Sequence, residues 1–185
     1  LIIKQLNNKT MKKLIFISLL FSILSLSVSA QKPTKAEKAA QLEQEFQQTR
    51  QLIESNHFQF ELNRVYPQDG QDLSRFNPRG KFVITDSVAK GTLPFFGRAY
   101  SLPYGEGGGI EFDGVMKDQS LKIEHKKKRK ILIYRFSITA KNDTYQISME
   151  ISGGGNCSVN LNSNNRAQIS YSGTVSPVKD ETGKS

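Results

Sequence analysis

The segment Ile131-Leu-Ile-Tyr-Arg-Phe-Ser-Ile-Thr-Ala140 decides the fold, because apolar residues recur in it at every second position. Four of them share one face: Leu132, Tyr134, Phe136 and Ile138. This period is typical of a β-strand with one face on a core. Ile131 and Ile133 add apolar surface to the other face. The segment is therefore predicted to be a central strand, partly covered on both sides.

The same period of two appears on both sides of this strand. Downstream, turns at Asn142–Asp143, Gly153–Gly155 and Asn162–Asn165 separate three more alternating segments. Upstream, strands are predicted from Phe58 to about Pro67, Lys81 to Asp86, Ser87 to Leu93 and Ile110 to Met116, and around Leu121 and Ile123. Short connections between consecutive strands imply antiparallel pairing.

The balance of elements predicts the architecture. A helix of about 20 residues is about 30 Å long, and strands lie about 4.8 Å apart, so one helix covers about four strands. The remaining strands must bury their apolar faces against each other. We therefore predict a mainly β protein of α+β composition. It is an antiparallel meander of eight or nine strands, forming a barrel or a two-layer sandwich, with one N-terminal helix packed outside.

The N-terminal helix is predicted within residues 31–56. Thr34 and Glu37 have the spacing of a capping box, and Asn56 suits a left-handed stop. A narrow stripe of the helix consists of Ala39, Leu42, Phe46, Thr49 and Ile53. This stripe either docks on the sheet or pairs with another helix, and docking is the simpler prediction.

The N-terminal region has the pattern of a secretory signal. Within residues 1–30, Lys12 and Lys13 form a charged start, followed by the short apolar run Leu14–Val28 and a small-residue cleavage site between Ala30 and Gln31. The run is short and contains serines, so it is poorly suited to span a bilayer. We therefore predict a periplasmic or secreted protein with no transmembrane segment in the mature chain. A single β domain over residues 57–178 and a disordered tail over 179–185 are expected to follow.

The net charge of +9 overstates how basic the folded protein is. Part of it lies in the leader, and the run Lys126-Lys127-Lys128-Arg129-Lys130 forms one local patch. This basic run is either a solvated hairpin tip or a contact for anionic envelope polymers. No aromatic residue is interleaved for base stacking, so we do not expect nucleic acid as a partner.

The segment from Leu93 to Ile110, called here the central loop, has neither the period of a helix nor that of a strand. It contains two Leu-Pro-aromatic units and five glycines. Its candidate ligand-binding residues are Phe95, Phe96, Arg98, Tyr100 and Tyr104. The rings either line a pocket, with Arg98 facing an anionic group, or plug an open end of the sheet.

Catalytic signatures are weak. Cys157 is in phase with apolar strand residues, which predicts a buried, structural thiol. His57 and His125 have no metal-ligand spacing, and we predict no metal and no cofactor.

The sequence favours a non-catalytic exported binding or structural module, whose partner is an envelope small molecule, a lipid or an anionic polymer. The alternative is a cell-envelope hydrolase with a spatially assembled site.

Three motifs carry a family resemblance: Leu93–Tyr100, Gly107–Phe112, and Asn165–Arg166 with the strand Ile169–Gly173. They resemble the domain-of-unknown-function 4251 (DUF4251) family, over about Asn56–Val178. The resemblance implies a small exported protein of Gram-negative bacteria with a single domain and no assigned activity. Many members look like lipoproteins, whereas this chain has no cysteine directly after its apolar run, where the lipid would be attached.

Overall fold

The computed structural model describes residues 34–68, 73, 76–101, 108–126, 129–140 and 143–179. The predicted leader, its cleavage site and residues 180–185 of the predicted tail lie outside this part of the chain. The described residues form one helix and eight strands. These are α1 (Lys35–Glu54), β1 (His57–Pro67), β2 (Lys81–Thr85), β3 (Val88–Leu93), β4 (Ile110–Lys126), β5 (Arg129–Thr139), β6 (Thr144–Ser152), β7 (Asn156–Ser163) and β8 (Ile169–Pro177).

The eight strands form a closed antiparallel barrel. Each strand pairs with the next along the chain, and β8 pairs with β1 from Phe58–Pro177 to Pro67–Ile169. Closure leaves no edge strand, which is one of the ways in which β proteins avoid edge-to-edge aggregation. The predicted fold class is confirmed, and of its two forms the barrel is the one observed.

The connections lie at two opposite ends of the barrel. One end, called here the helix end, carries the junction of α1 with β1 and the β2–β3 and β6–β7 turns. The other end, called here the loop end, carries the β1–β2 connection, the central loop between β3 and β4, the β5–β6 turn and the β7–β8 connection. The irregular segment singled out in the sequence therefore lies at one mouth of the barrel.

Helix α1 packs on the core with only the second half of its predicted stripe. Its buried residues are Phe46, Thr49 and Ile53. Phe46 lies against Gly153 of the β6–β7 turn. Leu42 is 63% exposed and Ala39 is also exposed, so the predicted stripe is wrong at its N-terminal end.

Both ends of α1 follow the predicted capping chemistry. Thr34 N donates to Glu37 Oε2 at 2.7 Å, and Glu37 N donates to Thr34 Oγ1 at 3.2 Å, which completes the capping box. Asn56 has a left-handed φ of 48° and ends the helix. Its Oδ1 accepts a hydrogen bond from Tyr134 Oη at 3.0 Å. Burial raises the pKa of Tyr134 to about 12, so this phenol stays protonated and able to donate.

The barrel interior is filled by side chains. One register row crosses four strands and contains three phenylalanines and a glycine: Phe60, Phe82, Gly91 and Phe112. The rings of Phe60 and Phe82 stack at 5.0 Å between centroids, and Phe112 lies 5.9 Å from Phe82. Phe112 in turn contacts Tyr145 of β6 at 6.2 Å. These contacts make the interior a packed core, as expected for a small eight-stranded barrel.

Strand β5 is covered on both faces, as predicted. Its outward residues Ile131 and Ile133 are 9% and 3% exposed. Lys126 Nζ binds Glu150 Oε2 at 2.7 Å, an ion pair that reaches diagonally across the row of Ile131. Long side chains can cover apolar surface in this way while keeping their charges in water.

Candidate functional site at the loop end

The first half of the central loop packs against the barrel interior. Leu93 is fully buried, and Phe95 is partly buried against the core. Tyr171, on the inward face of β8, donates a hydrogen bond from Oη to the Pro94 carbonyl oxygen at 2.9 Å. Burial raises the pKa of Tyr171, so the phenol keeps the proton that this bond requires.

The next part of the loop is held by the β7–β8 connection. Ala167 N donates to Arg98 O at 2.9 Å, and Tyr100 N donates to Asn165 O at 2.8 Å. Between these two bonds, Ala99 forms an isolated antiparallel bridge with Arg166. The backbone on both sides of Ala99 is thus fixed by main-chain hydrogen bonds, although it belongs to no strand.

The side chains on this fixed backbone face outward. Phe96 is 37% exposed, Tyr100 is 65% exposed and Arg98 is exposed. Phe76, in the β1–β2 connection at the same end of the barrel, is also exposed. Two aromatic rings and a guanidinium therefore lie on one ordered segment of the central loop, in contact with solvent.

Arg166, which precedes β8, is a buried charge at the loop end, with a side chain only 5% exposed. Its Nη1 donates to Gly108 O at 3.3 Å, and its guanidinium carbon lies 5.1 Å from the centroid of the Phe95 ring. Its Nε lies 3.8 Å from Asp143 Oδ2, near enough for charge attraction but too far for a hydrogen bond. Arg166 thereby joins both halves of the central loop to the β5–β6 turn.

The predicted site residues thus divide into two groups. Phe95 turns toward the core and stacks on a buried arginine, whereas Phe96, Arg98 and Tyr100 face solvent. Tyr104 lies outside the described residues.

Three residues that hold the loop were not among the candidates from the sequence: Asp143, Arg166 and Tyr171. Tyr171 alternates with Ile169, which indicates the inward face, but no pattern in the sequence indicates its hydrogen bond. Arg166 gave only one signal, its place beside Asn165 in a motif that resembles the family.

The cysteine and the two histidines that were considered for catalysis lie apart from the central loop. Cys157 is buried on β7, and burial raises the pKa of its thiol, which disfavours the reactive thiolate. His57 begins β1 and His125 lies near the end of β4, both toward the helix end and both exposed. Within the described part of the chain, no group of three or more His, Cys, Asp or Glu side chains is placed to hold a metal ion.

The basic run at the β4–β5 hairpin is partly engaged in ion pairs. Lys126 pairs with Glu150, and Lys130 Nζ lies 2.9 Å from both carboxylate oxygens of Glu43 on α1. Hydrogen bonds from Gln47 and Lys130 lower the pKa of Glu43. Arg129 is exposed. Lys127 and Lys128 lie outside the described residues.

We expect Lys130→Ala to lower the melting temperature more than Arg129→Ala. Lys130 also lies 5.6 Å from the ring centroid of Phe46, so it links the hairpin to the helix by charge and by cation–π contact. Thermal unfolding followed by circular dichroism measures both shifts. Added salt should reduce the difference, because it screens the exposed Glu43–Lys130 pair. Equal shifts for the two variants would contradict a linking role for Lys130.

A cleft of about 1060 Å³ is lined by residues of β1–β4, by the β1–β2 connection and by Ala140. Its charged lining residues are Glu61, Arg79, Lys81, Lys90, Glu111 and Asp113. Lys90 pairs with Asp113 at 2.7 Å, and Glu61 pairs with Lys179 at 3.3 Å. The opposite charges balance, so the cleft does not select strongly for anions. None of the described candidate residues of the central loop lines it.

A family model for a domain of unknown function (DUF4251) matches residues 40–175, which span most of α1 and nearly all of the barrel. The chain belongs to the DUF4251 family. The resemblance predicted from the central loop and the last strand is therefore confirmed. The family carries no assigned function, and no curated protein matches the chain.

A solved structure of a DUF4251 family protein from Bacteroides eggerthii DSM 20697 is similar to this chain. The two share 22% sequence identity with a TM-score of 0.53, over 75% of this chain and 91% of that one. At this identity the likeness establishes the fold alone. In the described residues of this DUF4251 protein, no helix is both long and apolar enough to cross a membrane.

Proposed function

We propose that this DUF4251 protein is an exported, non-catalytic binding module that contacts its partner with the central loop. The observation that carries the proposal is the exposure of Phe96 and Tyr100 on a backbone fixed by hydrogen bonds to the β7–β8 connection. Exposed aromatic rings on a mobile loop would lose conformational freedom on binding. Here the backbone is already ordered, and that lowers the entropic penalty of association.

The residue types on this surface suit recognition. Tyrosine and arginine are enriched among the residues that dominate binding energy, because each combines a large apolar or planar surface with polar groups. Arg98 adds a cation beside the rings, which favours a partner with an anionic group. An envelope small molecule, a lipid headgroup or an anionic polymer each offers such a group.

The proposal is tested by substituting the two exposed rings. We expect Phe96→Ala and Tyr100→Ala each to lower the free energy of unfolding by about 1 kcal/mol or less, since much of each ring is already in water. Both should abolish retention of the partner, detected by native mass spectrometry of protein purified from its own periplasm. Val115→Ala is the matched control, because Val115 is 57% exposed on the outward face of β4.

A loss of about 3–5 kcal/mol for both ring variants would instead mean that the rings serve as a structural plug. Retention that is unchanged in Phe96→Ala and Tyr100→Ala would exclude the central loop as the contact surface. Screening the purified protein with ester, glycoside and phosphate substrates addresses the hydrolase alternative, and turnover of any of them would overturn a purely binding role.

Export is the second part of the proposal. Its support is the signal pattern within residues 1–30, in which Lys12 and Lys13 precede an apolar run and a small-residue cleavage site. We expect N-terminal sequencing of the protein from the periplasm or medium to begin at Gln31. A mature form that still carries Leu14–Val28 would refute cleavage.

A further inference from the structure

The outer wall of β7 and β8 differs from the rest of the barrel in its chemistry. Inward residues such as Val159 and Tyr171 are buried, so the alternate positions face outward. Four outward positions on β7, from Asn156 to Asn162, and four on β8, from Ser170 to Ser176, are all Asn, Ser or Thr. We call this surface the polar wall. It carries amide and hydroxyl groups in register and no charged side chain.

The absence of charge is local. On the opposite wall, the outward positions of β2–β4 include Lys81, Lys90, Glu111 and Asp113. Exposed strand faces commonly carry charges, which keep a β protein soluble and discourage association. A surface made only of neutral hydrogen-bonding groups does not provide this charge repulsion. Its composition therefore indicates a different role.

Two recesses border the polar wall. One, of about 320 Å³, is lined by Asp118, Arg135, Ser137, Gln146, Ser148 and Asn162. The other, of about 280 Å³, includes Glu150, Ser152, Asn156, Ser158 and Ser172. Their centres are about four residues apart along β6, or about 13 Å. Two small polar recesses at that distance suit an extended ligand that places a group in each.

The charged groups in these recesses already have protein partners. Lys126 pairs with Glu150 at 2.7 Å, Ser137 Oγ donates to Asp118 Oδ2 at 2.9 Å, and Arg135 Nε donates to Ser148 Oγ at 3.3 Å. They add two cations and two anions, so the polar wall and its two recesses together carry no net charge. Electrostatic complementarity therefore favours a neutral ligand over an anionic one.

We propose that the polar wall binds an extended neutral glycan. Amide and hydroxyl groups both donate and accept hydrogen bonds, as sugar hydroxyls do, and each matches the other without a desolvated charge. A protein partner fits less well, because the cores of protein interfaces are depleted in serine and enriched in aromatic residues. A lipid chain fits less well because the wall offers no continuous apolar surface. This proposal goes beyond the central loop and does not depend on it.

Affinity electrophoresis of the full chain tests the proposal, with gels that contain a soluble glucan, mannan or xylan as the probe. We expect at least one of these neutral polysaccharides to retard the protein. Asn160→Asp should weaken that retardation about tenfold, because the carboxylate places an unpaired charge in the middle of the wall. The fold should survive, since Ser170 Oγ donates to Asn160 Oδ1 at 2.7 Å and aspartate accepts the same bond.

Thr92→Asp is the matched control, because it adds the same charge on the outward face of β3. It should leave the retardation unchanged, and so should Phe96→Ala, which separates this surface from the central loop. Absence of retardation by all three polysaccharides would overturn the proposal. Equal weakening by Asn160→Asp and Thr92→Asp would overturn it as well, and so would sedimentation of a dimer that Asn160→Asp, but not Thr92→Asp, converts to a monomer.

Discussion

Replacing Arg166 by alanine is expected to lower the free energy of unfolding by about 3–5 kcal/mol, because it breaks a buried pair and leaves one charge without its partner. Asp143, whose side chain is 6% exposed, would then be buried without the guanidinium. The variant also loses the bond to the Gly108 carbonyl and the stacking on Phe95. Chemical denaturation with urea measures the loss.

Two further variants separate the causes. Arg98→Ala removes an exposed arginine from the same end of the barrel and should change stability by no more than about 0.5 kcal/mol. Arg166→Lys keeps the charge but loses the planar group that stacks on Phe95, so it should fall between the wild type and Arg166→Ala. A loss below about 1 kcal/mol for Arg166→Ala would show that the loop end relaxes around the vacancy and that Arg166 does not hold it together.

Most of the fold was predicted from the alternation of apolar and polar residues along the strands. This pattern failed where a bulge changes which residues face inward. Met116 and Leu121 both face inward. They are an odd number of positions apart, so in a regular strand they would face opposite sides. The sequence therefore suggested separate strands on either side, and a count of eight or nine. In the structure both belong to β4, and the register shifts between Lys117 and Ser120, where Asp118 has a left-handed φ of 53°.

The loop end was predictable only in part, because its contacts join segments that are distant in sequence. The prolines and glycines of the central loop indicated that it is not a strand, and its aromatic content indicated burial or binding. Nothing in the local sequence pairs Ala99 with Arg166, or Pro94 with Tyr171. Such contacts depend on closure of the barrel, which brings β8 and its preceding connection beside the central loop.

Alanine in place of Gly91 is expected to destabilise the protein by about 3 kcal/mol, near the upper end of the usual range for overpacking. Gly91 faces the interior between Phe82 and Phe112, in the row of aromatic rings. A Cβ at this position would lie 2.6 Å from Phe82 Cα and 2.7 Å from Lys81 O. These are backbone atoms of the paired strand, so no change of side-chain rotamer can relieve the overlap.

Gly108→Ala is the matched control for Gly91→Ala, since a Cβ at position 108 would meet no atom within 4 Å. It should change the free energy of unfolding by no more than about 0.5 kcal/mol. Replacing the ring with a smaller side chain in Phe82→Leu should not restore the stability lost in Gly91→Ala. The overlap is with the backbone of residue 82 rather than with its ring. Equal stabilities for Gly91→Ala and Gly108→Ala, or full rescue by Phe82→Leu, would contradict this account. In the latter case the ring, and not the approach of two backbones, would be the reason for glycine at position 91.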